Sequence, residues 1–347
     1  MAAYQTGVSS SPVNLLQTLV SWLSSQSWVV DLSMSIGTGW RAHLHKGATF
    51  VHLRAAMDEK LWAYDGEYHD KGDGGYGIGF YLGTSYNGMS NWDEQPGRPV
   101  RVEDGSTCGC GVNLPAGSVA AYHLFDDGAD NIIVVVERTP GIYCHFGWGP
   151  AMGAAGQPEN FPYFFGSASA YLNTITGAPG GERGGINITT YPPFSHGDED
   201  VSSYNGLYTR VHATAYVRVD AGTYTARWIA NGRDAGSGDG GYGGTGRQMR
   251  CALNLGPCSD TSLDSDDYPS YQDLADRVHQ TAFAGALFLP LHTFVLTDPD
   301  ARWSPVGHVP SVFWCEAVGH GHSPGDVYQV GGEDYMLFPH FAVRKGA

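Results

Sequence analysis

Positive charge is scarce in this sequence. Its 347 residues carry 19 Lys and Arg against 35 Asp and Glu, a net charge of −16. Such a chain repels phosphate backbones and anionic lipid, which sets nucleic acid and membrane surfaces aside as partners. Long apolar runs are missing too. The longest, Ala282 to Leu291, contains Gly285 and Pro290 and is too short to span a bilayer as a helix. The opening MAAYQTGVSSSPV has no basic segment followed by an apolar one, so no signal peptide is read. Cysteine is also sparse, with six residues at 108, 110, 144, 251, 258 and 315. Without a secretion signal, reduced thiols are expected. Cys251 and Cys258, separated by a Gly-Pro turn signal, come nearest to a disulfide, and the compartment argues against one.

What is abundant is glycine and proline, 49 and 19 residues. That many breakers leave little room for long helices and favour short strands joined by turns. The organising stretch is Val119 to Pro150. VAAYHLF runs out, DDGADN turns, IIVVVER returns, TPG turns again and IYCHFGW forms a third strand. This antiparallel meander, 119–148, has a central strand apolar on both faces and must be covered on both sides. Ser11-Pro12 opens the best helix, 12–24, with Ser as N-cap and Pro at the first helical position. Leu15, Leu16, Leu19, Val20 and Leu23 form its apolar stripe, while its polar positions carry no charge, which suits contact with protein. WRAHLH and TFVHLRAA read as strands around Lys46-Gly47-Ala48.

The expected fold is α+β and predominantly antiparallel β. Helix 12–24 packs on an antiparallel sheet in a domain spanning 1–150. A β-rich domain, 151–347, follows, with Gly-rich loops and one short helix near 270–284, opened by Ser270 as N-cap. Its strands include HATAYVRVD, TYTARWIA, HTFVLT, SVFWCEAV, DVYQV and YMLFPHFAV.

No motif carries a reaction. GDGGYGIG at 72–79 and GGYGGTG at 240–246 are followed by no predicted helix and no Lys-Ser/Thr pair, so neither is a phosphate loop. No Gly-x-Ser-x-Gly elbow is present. Cys144 and His145 are adjacent on a strand and point to opposite faces. His43, His45 and His52 could gather three imidazoles, but no clear carboxylate or thiolate joins them. They read as polar residues of an exposed sheet face. His320 with His322, and Cys108 with Cys110, lack the partners a metal needs. The acidic clusters at 126–130, 197–200 and 264–267 could offer oxygens to calcium, but none has the spacing of a calcium loop and they read as solvated turns. No catalytic, cofactor-binding or metal-ligating residue is assigned, and a hydrolase using a pair of unplaced carboxylates is the least favoured reading.

Several segments resemble structural proteins of tailed bacteriophages: YQTG…SPVNLLQTLVSWL, GTGWRAHLHKGATFVHLRAA, GIGFYLGTSYNG, AYHLFDDGADNIIVVVERTPGIYCHFGWGP, PYFFGSASAY and DYMLFPHFAVRK. The resemblance covers most of residues 4–175 and the last twenty. It implies a non-enzymatic late virion subunit, tail- or neck-associated, assembled in the host cytoplasm and partnered by its own copies and other virion proteins. It transfers no active-site residue. Helix-plus-sheet organisation is also similar, at fold level, to tail-completion and neck proteins. The alternative is a glycan-binding tail or capsid-decoration module presenting aromatics from Gly-rich loops. Fixing the loops at 65–79 and 231–247 would cost about 1–2 kcal/mol per residue, so a homo-oligomeric ring is expected, with these loops and the aromatic segment Phe161 to Tyr171 at subunit contacts.

Overall fold

The computed structural model describes residues 2–59, 75–99, 107, 109–153, 161–166, 168–169, 214–219, 227–231, 249–252, 289–296, 303–315, 317–319, 321–339 and 341–346. In chain order the elements are β1 (Ala3–Ser9), α1 (Pro12–Ser25), β2 (Val29–Ile36), β3 (Gly39–Lys46), β4 (Thr49–Glu59), β5 (Gly75–Gly83), β6 (Cys110–Asn113), β7 (Val119–Asp126), β8 (Ile132–Thr139), β9 (Ile142–Gly153), β10 (Phe161–Gly166), β11 (Ala168–Ser169), β12 (Thr214–Val219), β13 (Arg227–Asn231), β14 (Met249–Ala252), β15 (Leu289–Leu296), β16 (Trp303–Trp314), β17 (Val327–Val330), β18 (Glu333–Phe338) and β19 (Phe341–Arg344). Every pairing between these strands is antiparallel. The fold is therefore α+β and predominantly antiparallel, with the N-terminal helix packed on a sheet. The expected helix near 270–284 lies outside the described residues, as do the loops at 65–74 and 232–247.

The strands form two sheets. One is six-stranded in the order β11-β6-β5-β4-β3-β2. The other follows β1-β7-β8-β9-β16-β19-β18-β17, with β10, β12 and β13 branching from β9 and with β15 and β14 branching from β16. Helix α1 begins as its sequence dictates. Ser11 is extended and its Oγ accepts from the Asn14 N–H at 3.1 Å, satisfying one of the free donors of the first turn. The helix packs across β2 to β5 and touches β1. Leu15, Leu16, Leu19 and Leu23 join the apolar rows of β3 to β6 and alternate residues of β7 to β10 in one core. Phe80 ties the two sheets together, its ring lying 5.3, 5.6 and 5.7 Å from those of Phe146, Trp148 and Phe164.

The meander is β7-β8-β9, and Ile132 to Val136 are all buried, as a strand apolar on both faces requires. Ile132, Val134 and Val136 face the shared core. The expected domain boundary at 150 falls inside β9, where Pro150 lies opposite Pro162 of β10. Beyond β10 the chain crosses from one sheet to the other, because β11 pairs with β6. Glycine permits this crossing: a Cβ on Gly166 would sit 2.6 Å from the Gly111 N, and one on Gly111 would sit 2.4 Å from the Ile78 O.

Three readings are corrected. The segment YMLFPHFAV is not one strand but two, β18 and β19, folded back on each other. Pro339 lies in the turn between them, where its fixed φ and missing N–H are tolerated. The stretch 75–79, expected to be loop, already belongs to β5. The aromatic segment placed at subunit contacts is internal: Phe161, Tyr163, Phe164 and Phe165 are buried within the chain, and its last residues lie outside those described.

Candidate functional site

The outer face of the six-stranded sheet collects the histidines that the sequence singled out. Along β3, β4 and β5 the register places His43 opposite His52 and His52 opposite Tyr81, with Arg41 opposite Arg54 in the row beside them. An exposed polar face was expected. Instead, His43 and His52 are fully buried, their Nδ1 atoms 2.8 Å apart. One ring's Nδ1–H must donate to the other's bare Nδ1, so one proton lies between the two atoms and the accepting ring is neutral. Burial, and next the Arg41 charge, lowers His43 to about 4, while burial and then His43 itself hold His52 well below the usual imidazole range. His45 turns to Asp31 of β2, whose carboxylate is 2.9 Å away.

What covers the pair is residues 84–98, a compact loop whose ends meet where the Thr84 N–H donates to the Pro96 carbonyl at 2.8 Å. Gln95, fully buried, holds it closed. Its Oε1 accepts from the Asn87 N–H at 2.7 Å, and its Nε2 donates to the carbonyls of Asn87, Ser90 and Asn91 at 3.2, 3.2 and 2.8 Å. Tyr81 docks the loop by donating to the Trp92 carbonyl, and Trp92 packs between Tyr81 and the Arg54 guanidinium. Tyr86 lies 5.0 Å from the His43 ring. Neither His43 Nε2 nor His52 Nε2 meets a hydrogen-bond partner among the described residues. The arrangement is a packed, neutral imidazole pair under an Ω-loop. Only two of the three histidines meet, and among the described residues no group of three or more His, Cys, Asp or Glu is placed to hold a metal ion.

The acidic turn between β7 and β8 turns its carboxylates inward. Asp126 Oδ1 accepts from the Gly128 N–H at 2.7 Å, and Asp127 Oδ1 accepts from the N–H groups of Ala129 and Asn131 at 2.8 and 3.1 Å. Asp127 Oδ2 accepts from Asn131 Nδ2 and from the Ser311 hydroxyl of β16, both at 2.8 Å. Asn131 Oδ1 accepts from the Tyr163 hydroxyl of β10 at 2.8 Å, and Asp130 pairs with Lys46 at 2.7 Å. Solvated turn aspartates were expected. Asp127 and Asn131 instead clamp one turn to two distant strands. The clusters at 197–200 and 264–267 lie outside the described residues.

The remaining candidates separate. Cys144 is in the shared core, its thiol pushed up to about 12 by burial, while His145 packs between Phe165 and Phe341 and is lowered by burial to about 3. They face opposite ways and neither is tuned as nucleophile or base. His322 Nδ1 lies 3.8 Å from the Asp326 carboxylate. His320, Cys108 and Cys258 lie outside the described residues, and Cys251 sits in β14 opposite Thr293.

Met89 at the tip of the loop 84–98 and Val8 of β1 are the most exposed large apolar side chains, and several others gather on two end strands. β2 ends the six-stranded sheet with Val29 at 52%, Val30 at 36% and Met34 at 41% exposure, and β17 ends the other with Val327 at 46% and Val330 at 41%. β2 escaped the sequence reading, although Val30, Leu32, Met34 and Ile36 alternate with Asp31, Ser33 and Ser35 in the period of a strand. The Gln95 loop was also missed, and no local signal could have revealed it. No family model and no curated protein matches this chain. Among the described residues no helix is long and apolar enough to cross a membrane.

Proposed function

We propose that the chain is a structural subunit of a tailed-bacteriophage virion, in the tail or the neck region, acting through homo-oligomeric assembly and contacts with other virion proteins after synthesis in the host cytoplasm. One observation carries the reading beyond the segment resemblance: among the described residues, the six-stranded sheet ends in β2, an open strand that exposes valine and methionine side chains. An open edge with exposed apolar groups is a template for a neighbouring chain, and proteins that stay alone guard it. The net charge of −16 keeps free copies soluble before assembly. The histidine pair and the acidic turn serve the subunit's own stability in this reading, since the two Nδ1 atoms meet each other and the turn's carboxylates meet groups of the same chain.

The test is quantitative mass spectrometry of purified particles, with cryo-electron microscopy of particles carrying a tagged copy. The expected outcome is a fixed copy number per particle and density at one symmetric location. A chain absent from washed particles, or turnover of a polysaccharide abolished by one Asp or Glu substitution, would remove the proposal.

A further inference from the structure

We infer that β2 and the outer face of α1 form the surface on which a second copy of this chain docks, edge to edge, by antiparallel β2–β2 pairing. The inference names the partner of the assembly reading above and rests on it for its biological setting.

Three observations converge on this surface. The first is topological: among the described residues, β2 has a strand only on its β3 side. The alternating ladder of an antiparallel pair leaves every second residue of β2 with its N–H and C=O directed away from β3, toward the open edge. The second is the absence of guards. β2 is eight residues long, has no Lys and no Pro, and exposes Val29, Val30, Ser33, Met34 and Ser35. Its one irregularity is the bulge between Val30 and Leu32. The end strand β17 of the other sheet is guarded: it has four residues and lies between Asp326 on one side and Glu333 and Asp334 on the other.

The third is charge. From Met1 to Trp40 the only charged side chain is Asp31, and its carboxylate is met by His45 at 2.9 Å. The exposed positions of α1, Ser21, Ser24 and Ser25, continue the uncharged surface beside β2. Two copies that each carry −16 repel wherever acidic surfaces meet, and here they approach without opposing like charges. A basic partner would instead be drawn to the acidic surfaces. Antiparallel edge pairing is its own mirror under a two-fold axis, so the same eight residues serve both copies and the contact closes as a dimer. A ring would then be built from such pairs through other surfaces.

The experiment is sedimentation equilibrium of the full chain between about 1 and 100 μM, a range that brackets typical transient homodimers. The wild type is expected to be dimeric at the upper end. The Val30→Lys/Ser35→Lys variant should raise the dissociation constant at least about 100-fold, by opposing like charges across the strand pair. Val327→Lys, on β17, should leave it unchanged. In case the double variant fails to fold, hydrogen exchange on the wild type gives a second reading, in which amides of residues 29–36 gain protection as concentration rises. A wild type monomeric throughout, a lysine variant that still dimerises, or protection of 29–36 indifferent to concentration would overturn the inference. A chain found in particles yet monomeric in solution overturns this inference alone and leaves the virion reading standing, with another virion protein as the occupant of β2.

Discussion

One face of the six-stranded sheet presents Ala42, Leu44, Val51, Leu53, Ile78 and Phe80, and the other presents Arg41, His43, His52, Arg54 and Tyr81, although the two sets alternate along the same strands. Both faces are covered. The apolar one meets α1 and the second sheet, and the polar one meets the loop 84–98. The first is stabilised by apolar area removed from water, which needs no particular geometry. The second depends on each polar group finding a partner, because an unpaired buried group costs its full desolvation. The apolar face should therefore lose stability with volume, and the polar face with pH and with individual hydrogen bonds.

The largest effect should come from the apolar face. Phe80→Ala removes the ring that contacts Phe146, Trp148 and Phe164 and should cost about 3–5 kcal/mol in a denaturant melt. A cost below about 1 kcal/mol would mean that the sheets do not depend on this contact.

Acid should separate the faces next. Unfolded histidine takes up a proton near 6.5, whereas folded His43 does so near 4 and burial holds His52 well below the usual imidazole range. The unfolded chain therefore binds more protons as pH falls through that window, and stability is lost from about pH 6.5 downward. For His43 alone the difference is about 3 kcal/mol between the two ends of the window. His43→Gln/His52→Gln should flatten the pH dependence relative to the wild type, leaving the part contributed by His123 and His145, whose affinity for protons is also lowered by burial. Parallel curves for the two proteins would show that the pair is not the sensor.

Single hydrogen bonds should matter less. Gln95→Ala strips the Asn87 N–H and three carbonyls of their partner and should cost about 1–3 kcal/mol. Hydrogen exchange should rise across residues 84–98 while β8 stays protected. Uniform loss of protection would mean that the loop and the sheet open together. Smallest of all, Met89→Ala at the loop's tip, where the side chain is 95% exposed, should lie within about 0.5 kcal/mol of the wild type. A larger cost would reveal a contact made by Met89 in an assembled state.

These expectations draw on parts of the molecule that were unequally legible. Helix α1 could be read because Ser11, Pro12 and the leucine spacing are local signals, and the β7-β8-β9 meander could be read because its turns carry Asp, Gly and Pro at the right intervals. β1 was not read, since it pairs with β7, more than a hundred positions away, and β2 was not read although its alternation and the Gly37-Thr38-Gly39 turn after it were local signals. The histidines were noticed, yet their environment was misjudged. Alternation says which residues share a face, but not whether something lies on top of it.

The sequence by itself determined the secondary-structure class, the antiparallel meander, the N-terminal helix and the acidic charge, because each follows from composition or from patterns a few residues long. Tertiary structure decided what those patterns mean. Gln95 folds a loop over His43 and His52 and makes an apparent surface into an interior. Asp127 and Asn131 become a clamp only when Ser311 and Tyr163 arrive from strands far along the chain. The Phe161–Phe165 aromatics, which looked fit for an interface, are interior because Phe164 packs on Phe80 of the other sheet and Tyr163 reaches Asn131. Burial belongs to the arrangement of distant segments, and no local pattern encodes it.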